Sequence, residues 1–260
     1  MKKKLFVFAA FMLFWFAPSL SMAHDYWIIP TSFQPSSGTI LEAAFSNGHH
    51  YFENEGVPDV TKFKMFVVAP DGKYVPLAYS RVESKAAWAR VPIQNQGTYV
   101  IGAVSTMPEY WCQTSDGYKP GRKNEHPNAI KAGKYVKSVK TFITVGKSSE
   151  SFQKVLGHEI EIMPQTNPSE LKADQTLSVV ILFRGAPLAD VPVFGVYEGF
   201  QPKEHSDYPV QTKTDKNGAA SIKVDQAGKW AVFAKHEKTM ADGNEVDFAN
   251  YRPYMMFEVK

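Results

Sequence analysis

The residue best equipped for chemistry is His24. It stands directly behind Ser21-Met22-Ala23 and opens the run His24-Asp25-Tyr26-Trp27. Small residues at such positions mark a signal-peptidase cleavage site. Cleavage after Ala23 makes His24 the first residue of the mature chain, with its amine and ring nitrogen spaced to close a six-membered chelate on one metal ion. Cleavage after Ser21 leaves histidine third, which favours square-planar Ni(II) or Cu(II) bound through the amine, backbone nitrogens and imidazole. The small-residue rule fits the first alternative better. The alternative without metal is a histidine left at a frayed terminus, but Tyr26, Trp27 and Ile28 behind it point to a segment that packs down.

Imidazole is the commonest metal-binding side chain and suits nickel, cobalt, copper and zinc, so each of the seven histidines needs a reading. His49 and His50 follow the turn Asn47-Gly48. Neighbours on a strand point to opposite faces, so the two do not serve one ion unless the turn continues through them. His49 is the expected ligand. His236 ends an apolar strand at a sheet rim, where it could meet a site between two halves of the chain. The expected metal set is therefore His24, His49 and His236, with Asp25 or Glu53 as supporting carboxylates. His126 and His205 lie in polar loops and read as solvated, and His158 stands at a strand start. No His-x-x-x-His or Cys-x-x-Cys spacing occurs, so a closed structural zinc site is unsupported.

The elements that must position these residues are strands. Lys2 to Lys4 and the apolar run Leu5 to Phe16 precede the cleavage signal, which predicts a Sec-type signal peptide over residues 1–23 and a periplasmic protein. The apolar run is shorter than the ~20 residues a membrane span requires, so the mature chain is not expected to cross a bilayer. Charge is +3 overall, and three of the lysines fall in the leader, which leaves no basic stripe for nucleic acid. Hydrophobic residues make up 44% and charged residues 21%, a globular balance. Cys112 is the only cysteine, so no internal disulfide can form and a core must hold each domain.

Period-2 alternation at Lys62–Val68, Tyr135–Val145 and His158–Ile162, strand-like apolar runs at Gly97–Val104, Thr176–Phe183 and Gly228–His236, and turns such as Pro70-Asp71-Gly72 and Asp215-Lys216-Asn217-Gly218 predict an all-β protein. Two immunoglobulin/prealbumin-like β-sandwich domains are expected after the cleaved signal peptide, over 24–147 and 152–260, joined at the polar stretch Gly146–Ser151. Met107–Lys134 reads as a long irregular loop with a little local helix. No Gly-x-Ser-x-Gly, no Gly-rich phosphate loop and no motif around Cys112 supports a hydrolase or nucleotide enzyme.

Several segments together resemble the DUF4198 family of exported proteins. They are Ala23-His24-Asp25-Tyr26-Trp27, Asn47-Gly48-His49, Gly157–Pro164 with Asn167-Pro168, Phe183–Leu188 with Val191-Pro192-Val193, Thr214–Gly218 and Ala227–His236. The resemblance implies a periplasmic component associated with nickel or cobalt uptake, so a divalent transition metal as cargo (nickel or cobalt favoured, copper or zinc next) and a membrane metal transporter of ABC or ECF type, or an outer-membrane receptor, as partner. It supplies no catalytic residues, and the chain is expected not to be an enzyme. Two alternatives stand beside this reading. One is a copper-brace oxidase acting on polysaccharide, with Tyr26, Tyr51 or Tyr251 as axial group. The other is a metal-free carbohydrate-binding or adhesion module using Trp88, Trp111 or Trp230.

Overall fold

The structure, a computed structural model, describes residues 24–203, 207–241 and 243–260. The leader expected over residues 1–23 and the loop position expected for His205 lie outside the described residues.

Alternation of side chains decides the layers. In Ala87–Ile93, Ala87, Ala89, Val91 and Ile93 are buried while Arg90 and Pro92 are exposed. Gln175–Phe183 buries Leu177, Val179 and Ile181 on one side only. Strands of this kind cover a core with one face. By contrast, Phe63–Val68, Gly97–Ser105 and Phe248–Val259 are buried almost continuously. Such strands have a core on both faces.

Three sheets result. A 4-stranded sheet runs in the order Asp25–Pro30, Thr39–Gly48, Ala87–Ile93, Tyr79–Val82. A second 4-stranded sheet is built around Gln175–Phe183, with Ile160–Pro164 and Ala219–Val224 as its partners and Ala186–Pro187 beside it. Between them lies an 11-stranded sheet. Successive residues of its strands serve opposite cores: Val139 and Ile143 pack with Trp27, Phe45 and Val91, while Phe142 packs with Ile162, Leu177 and Ile181. The class is all-β, with sandwich layering on each side of the middle sheet. Among the described residues the only helical turns are four short 3-10 segments.

The two halves of the chain join inside the middle sheet. Ala129–Val145 pairs in parallel with Phe248–Val259, in register from Gly133 opposite Phe248 to Thr141 opposite Met256. Tyr254 and Met256 thereby reach the same core as Trp27 and Tyr26. Gly133 has no room for a side chain, because a Cβ there would come within 2.4 Å of the Phe248 ring.

Met107–Lys134, expected as an irregular loop, is largely β-structure. Glu109–Thr114 and Gly117–Pro120 form a hairpin, and Glu109–Thr114 pairs with the first part of the 17-residue strand Ala129–Val145. Ser115-Asp116-Gly117 makes the turn, with Gly117 at φ 123°, a region open to glycine. Clean alternation is missing because Tyr110, Trp111 and Gln113 are only partly covered.

Candidate metal centre

The segment behind His24 is anchored by burial. Trp27 and Ile28 are fully buried, and Tyr26 nearly so. Each large apolar side chain buried this way contributes about 1.5–3 kcal/mol. The Trp27 indole N–H also donates to Asn54 Oδ1 at 2.8 Å. Asp25, unusually for a carboxylate, is buried too. It accepts from the Tyr254 hydroxyl at 2.9 Å and from Arg252 at 3.4 Å. Burial opposes the charge on Arg252, yet Tyr254 and Asp25 hold its proton more tightly than usual. A buried pair of this kind is costly to break from one side. It ties the first described strand to the last.

Strand register then brings two histidines together. Asp25 pairs with Gly48, Tyr26 with Asn47 and Trp27 with Ser46 in antiparallel order. Continued by one residue, this register sets His24 opposite His49. Their ring centroids are 4.4 Å apart with planes inclined at 59°. Beyond Gly48 the chain leaves the strand and returns at once: Asn47 and Gly56 exchange backbone hydrogen bonds of 3.2 and 3.1 Å. The closure is tight, since a Cβ on Gly48 would meet the Glu53 carbonyl at 2.8 Å and the Trp27 ring at 2.9 Å.

That return delivers Glu55 to the pair. Its carboxylate accepts from His49 Nδ1 at 2.8 Å and from the His49 amide at 3.1 Å. Burial works against the charge, but these bonds together keep the Glu55 carboxyl below its ordinary range. An ionised carboxylate only accepts, so Nδ1 of His49 carries the proton of this hydrogen bond. His24, His49 and Glu55 each offer a ligand atom, and all three atoms lie within 4.8 Å of one another. The His24 ring is held below the usual histidine pKa, first by burial, then by His49 and Lys137, against the pull of Glu55 and Glu109. A low pKa keeps the ring neutral, which is the ligating form. Two imidazoles and a carboxylate are a donor set suited to nickel, cobalt, copper or zinc, so the residues fit such an ion.

The cluster opens onto a cleft of about 430 Å³. On its floor Lys137, almost fully buried, donates to Glu109 at 2.8 Å and lies 3.7 Å from the centre of the Tyr26 ring. The Tyr26 hydroxyl donates to the same carboxylate at 3.0 Å. Burial lowers the Lys137 pKa, and Glu109 counteracts it. Trp111, Tyr118 and Tyr135 form the aromatic part of the lining.

His236 does not join this group. It pairs with Tyr251 across the strands, and its ring lies 5.9 Å from that of Tyr251 and 4.9 Å from that of Phe183. Those two rings belong to the core on the other face of the middle sheet. The supporting carboxylates also differ from expectation. Asp25 is engaged by Arg252 and Tyr254, Glu53 is exposed, and Glu55 takes the place expected for them. No sequence motif announces Glu55; its only signal is its place a few residues beyond Asn47-Gly48-His49. Of the three tyrosines considered as axial groups, Tyr26 alone lines the cleft. Of the tryptophans, Trp230 is fully buried, Trp88 lies under Arg81 with the guanidinium 4.2 Å from its ring centre, and Trp111 is exposed.

A family model described as a domain of unknown function, DUF4198, matches residues 21–238. Comparison with curated proteins returns no match. Among solved structures the chain is similar to the D0-D1 domain of intimin, at 13% identity over 90% of this chain and 98% of that one, with a TM-score of 0.24. It is also similar to a DUF4785 family protein from Legionella pneumophila, at 11% identity over 80% of this chain and 51% of that one, with a TM-score of 0.27. A third likeness is to the adhesin InvE of Yersinia pseudotuberculosis, at 11% identity over 88% of this chain and 58% of that one, with a TM-score of 0.23. No helix among the described residues is long and apolar enough to cross a membrane.

Proposed function

The chain belongs to the DUF4198 family, and we propose that it is an exported, periplasmic protein that captures a divalent transition metal and hands it to a membrane transporter. The observation that carries this reading is the convergence of His24, His49 and Glu55, of which the two histidines line a cleft. Nickel or cobalt is the favoured cargo because the family resemblance implies it; the donor set itself suits late first-row ions in general. The three donors are exposed, which suits loading and release better than permanent retention. Cleavage after Ala23 adds the His24 amine to the donor set. The protein acts as a carrier and not as an enzyme.

A second reading has its own support. Trp111 is 40% exposed in the cleft wall, where a sugar ring could stack on it in a metal-free binding module. Calorimetric titration of the exported protein with Ni(II), Co(II), Cu(II) and Zn(II), paired with its intact mass, separates the two. The carrier reading predicts one equivalent of metal bound by a chain that begins at His24, and strong weakening by His24→Ala. Absence of stoichiometric binding to all four ions overturns it.

A further inference from the structure

The two imidazoles of the metal cluster supply only part of the lining of the cleft. An ion needs far less room than about 430 Å³, since a water molecule's share of liquid volume is about 30 Å³. Cavities of roughly 300–1,000 Å³ are the size that encloses small organic molecules. The rest of the lining is built accordingly. Trp111 is 40% and Tyr118 37% exposed, on the two strands of the Glu109–Pro120 hairpin. Clefts that take small organic molecules are lined largely by apolar and aromatic side chains with a few polar groups, and flat rings stack well on planar ligands. At the floor, the Lys137 ammonium and Glu109 carboxylate offset each other, so the cleft presents oriented polar groups without a large net charge.

The protein donors are incomplete as well. Two imidazoles, one carboxylate and the His24 amine that cleavage after Ala23 would add still leave positions of a six-coordinate Ni(II) or Co(II) shell to be filled from elsewhere. With the aromatic wall and the His24 and His49 imidazoles lining one cleft, those positions adjoin a space already sized for a ligand.

We propose that the cargo of this site is a chelated metal: a divalent ion carried by a small, planar, nitrogen- or oxygen-donor organic ligand, with His24 and His49 completing the shell and Trp111 and Tyr118 stacking on the chelator. This rests on the metal-carrier reading above and names its substrate class. The chelator supplies the donors that the protein lacks, and the aromatic hairpin discriminates the complex from the free ion.

The test uses Ni(II) alone, 2,2′-bipyridine alone and the 1:1 Ni(II)–bipyridine complex, each titrated calorimetrically into the mature protein and into Trp111→Ala, Tyr118→Ala and His24→Ala. Both aromatic side chains are exposed, and circular dichroism with thermal melting verifies that the variants fold. The complex is expected to bind at least tenfold more tightly than the bare ion, and bipyridine alone to bind at least a hundredfold more weakly than the complex. The ratio of complex to bare-ion affinity is expected to fall toward one in Trp111→Ala and Tyr118→Ala. Equal or weaker binding of the complex in the parent protein, an unchanged ratio in both aromatic variants, or bipyridine binding as well as its complex overturns the proposal and leaves the bare-ion carrier standing. Failure of both bare ion and complex to bind in a His24-dependent way overturns the carrier reading too.

Discussion

His24 and His49 face each other across the first strand pair, with ring centroids 4.4 Å apart. The relationship is set by backbone register and not by the rings: Asp25 opposite Gly48 fixes what stands one residue further on. A slip of one residue would turn every side chain of the strand to the other face, and Trp27 and Tyr26 hold the register through burial.

Glu55 accepts from His49 Nδ1 and is itself one of the three candidate donors. Removing a carboxylate that fixes a ligating imidazole typically costs 10–100-fold in metal affinity. Glu55→Gln is therefore expected to weaken Ni(II) binding by about that factor while leaving the melting temperature within a few degrees. Calorimetry and thermal melting on the same samples check both parts.

Asp25 holds His24 in place through the opposite end of the chain. Asp25→Ala leaves Arg252 buried without its carboxylate. The expected cost is on the order of 3 kcal/mol in urea unfolding. Metal affinity is expected to fall as well, because the strand that carries His24 loosens from Phe248–Val259. A variant as stable as the parent contradicts this account of the anchoring.

Lys137 and Glu109 make a second one-sided dependency. Their side chains are 3% and 12% exposed, and the ion pair spans 2.8 Å. Glu109→Gln is expected to destabilise the fold by about 3 kcal/mol, since it strands a buried ammonium. Tyr26→Phe removes one hydrogen bond to a charged acceptor, at a cost of about 1.5–3 kcal/mol. Chemical denaturation of the two single variants and the double variant tests whether the two effects are coupled.

Stability also carries a pH signature away from the site. The His158 ring is pushed down to about 4, chiefly by burial and further by Lys140, while Glu161 opposes the shift. An unfolded histidine titrates near 6.5. Between these values the unfolded chain binds more protons than the folded one, so acidification favours unfolding. The contribution is fully present above pH ~6.5, declines as pH falls toward ~4, and changes no further below that. The difference in urea midpoint between the parent and His158→Gln is expected to change across that window, by on the order of 1–2 kcal/mol after allowance for partial exposure. A difference independent of pH contradicts a buried neutral ring.

Much of the fold is legible in local pattern. Ala87–Ile93 and Gln175–Phe183 announce themselves by alternation, and Asp215-Lys216-Asn217-Gly218 by its turn chemistry. The joining of the halves is not legible, because parallel pairing of Val136 with Tyr251 links residues far apart in sequence and leaves no local period. The same holds at the site. His24 and His49 stand out as residue types behind a cleavage signal and a turn. Glu55 gains its role only when the chain returns to Asn47, and His236 loses its expected role because its pairing with Tyr251 commits it to the other core. The hairpin at Trp111 was hidden by half-covered faces, which blur alternation.

The central claim is that His24 and His49 ligate one ion. Nickel K-edge X-ray absorption on the exported protein loaded with one equivalent of Ni(II), compared with His24→Ala and His49→Ala, tests it most directly. The expected spectrum of the parent shows first-shell nitrogen and oxygen only, with imidazole outer-shell scattering that fits two rings and drops to one ring in each variant. A spectrum unchanged by either substitution, or one without imidazole scattering, contradicts the claim.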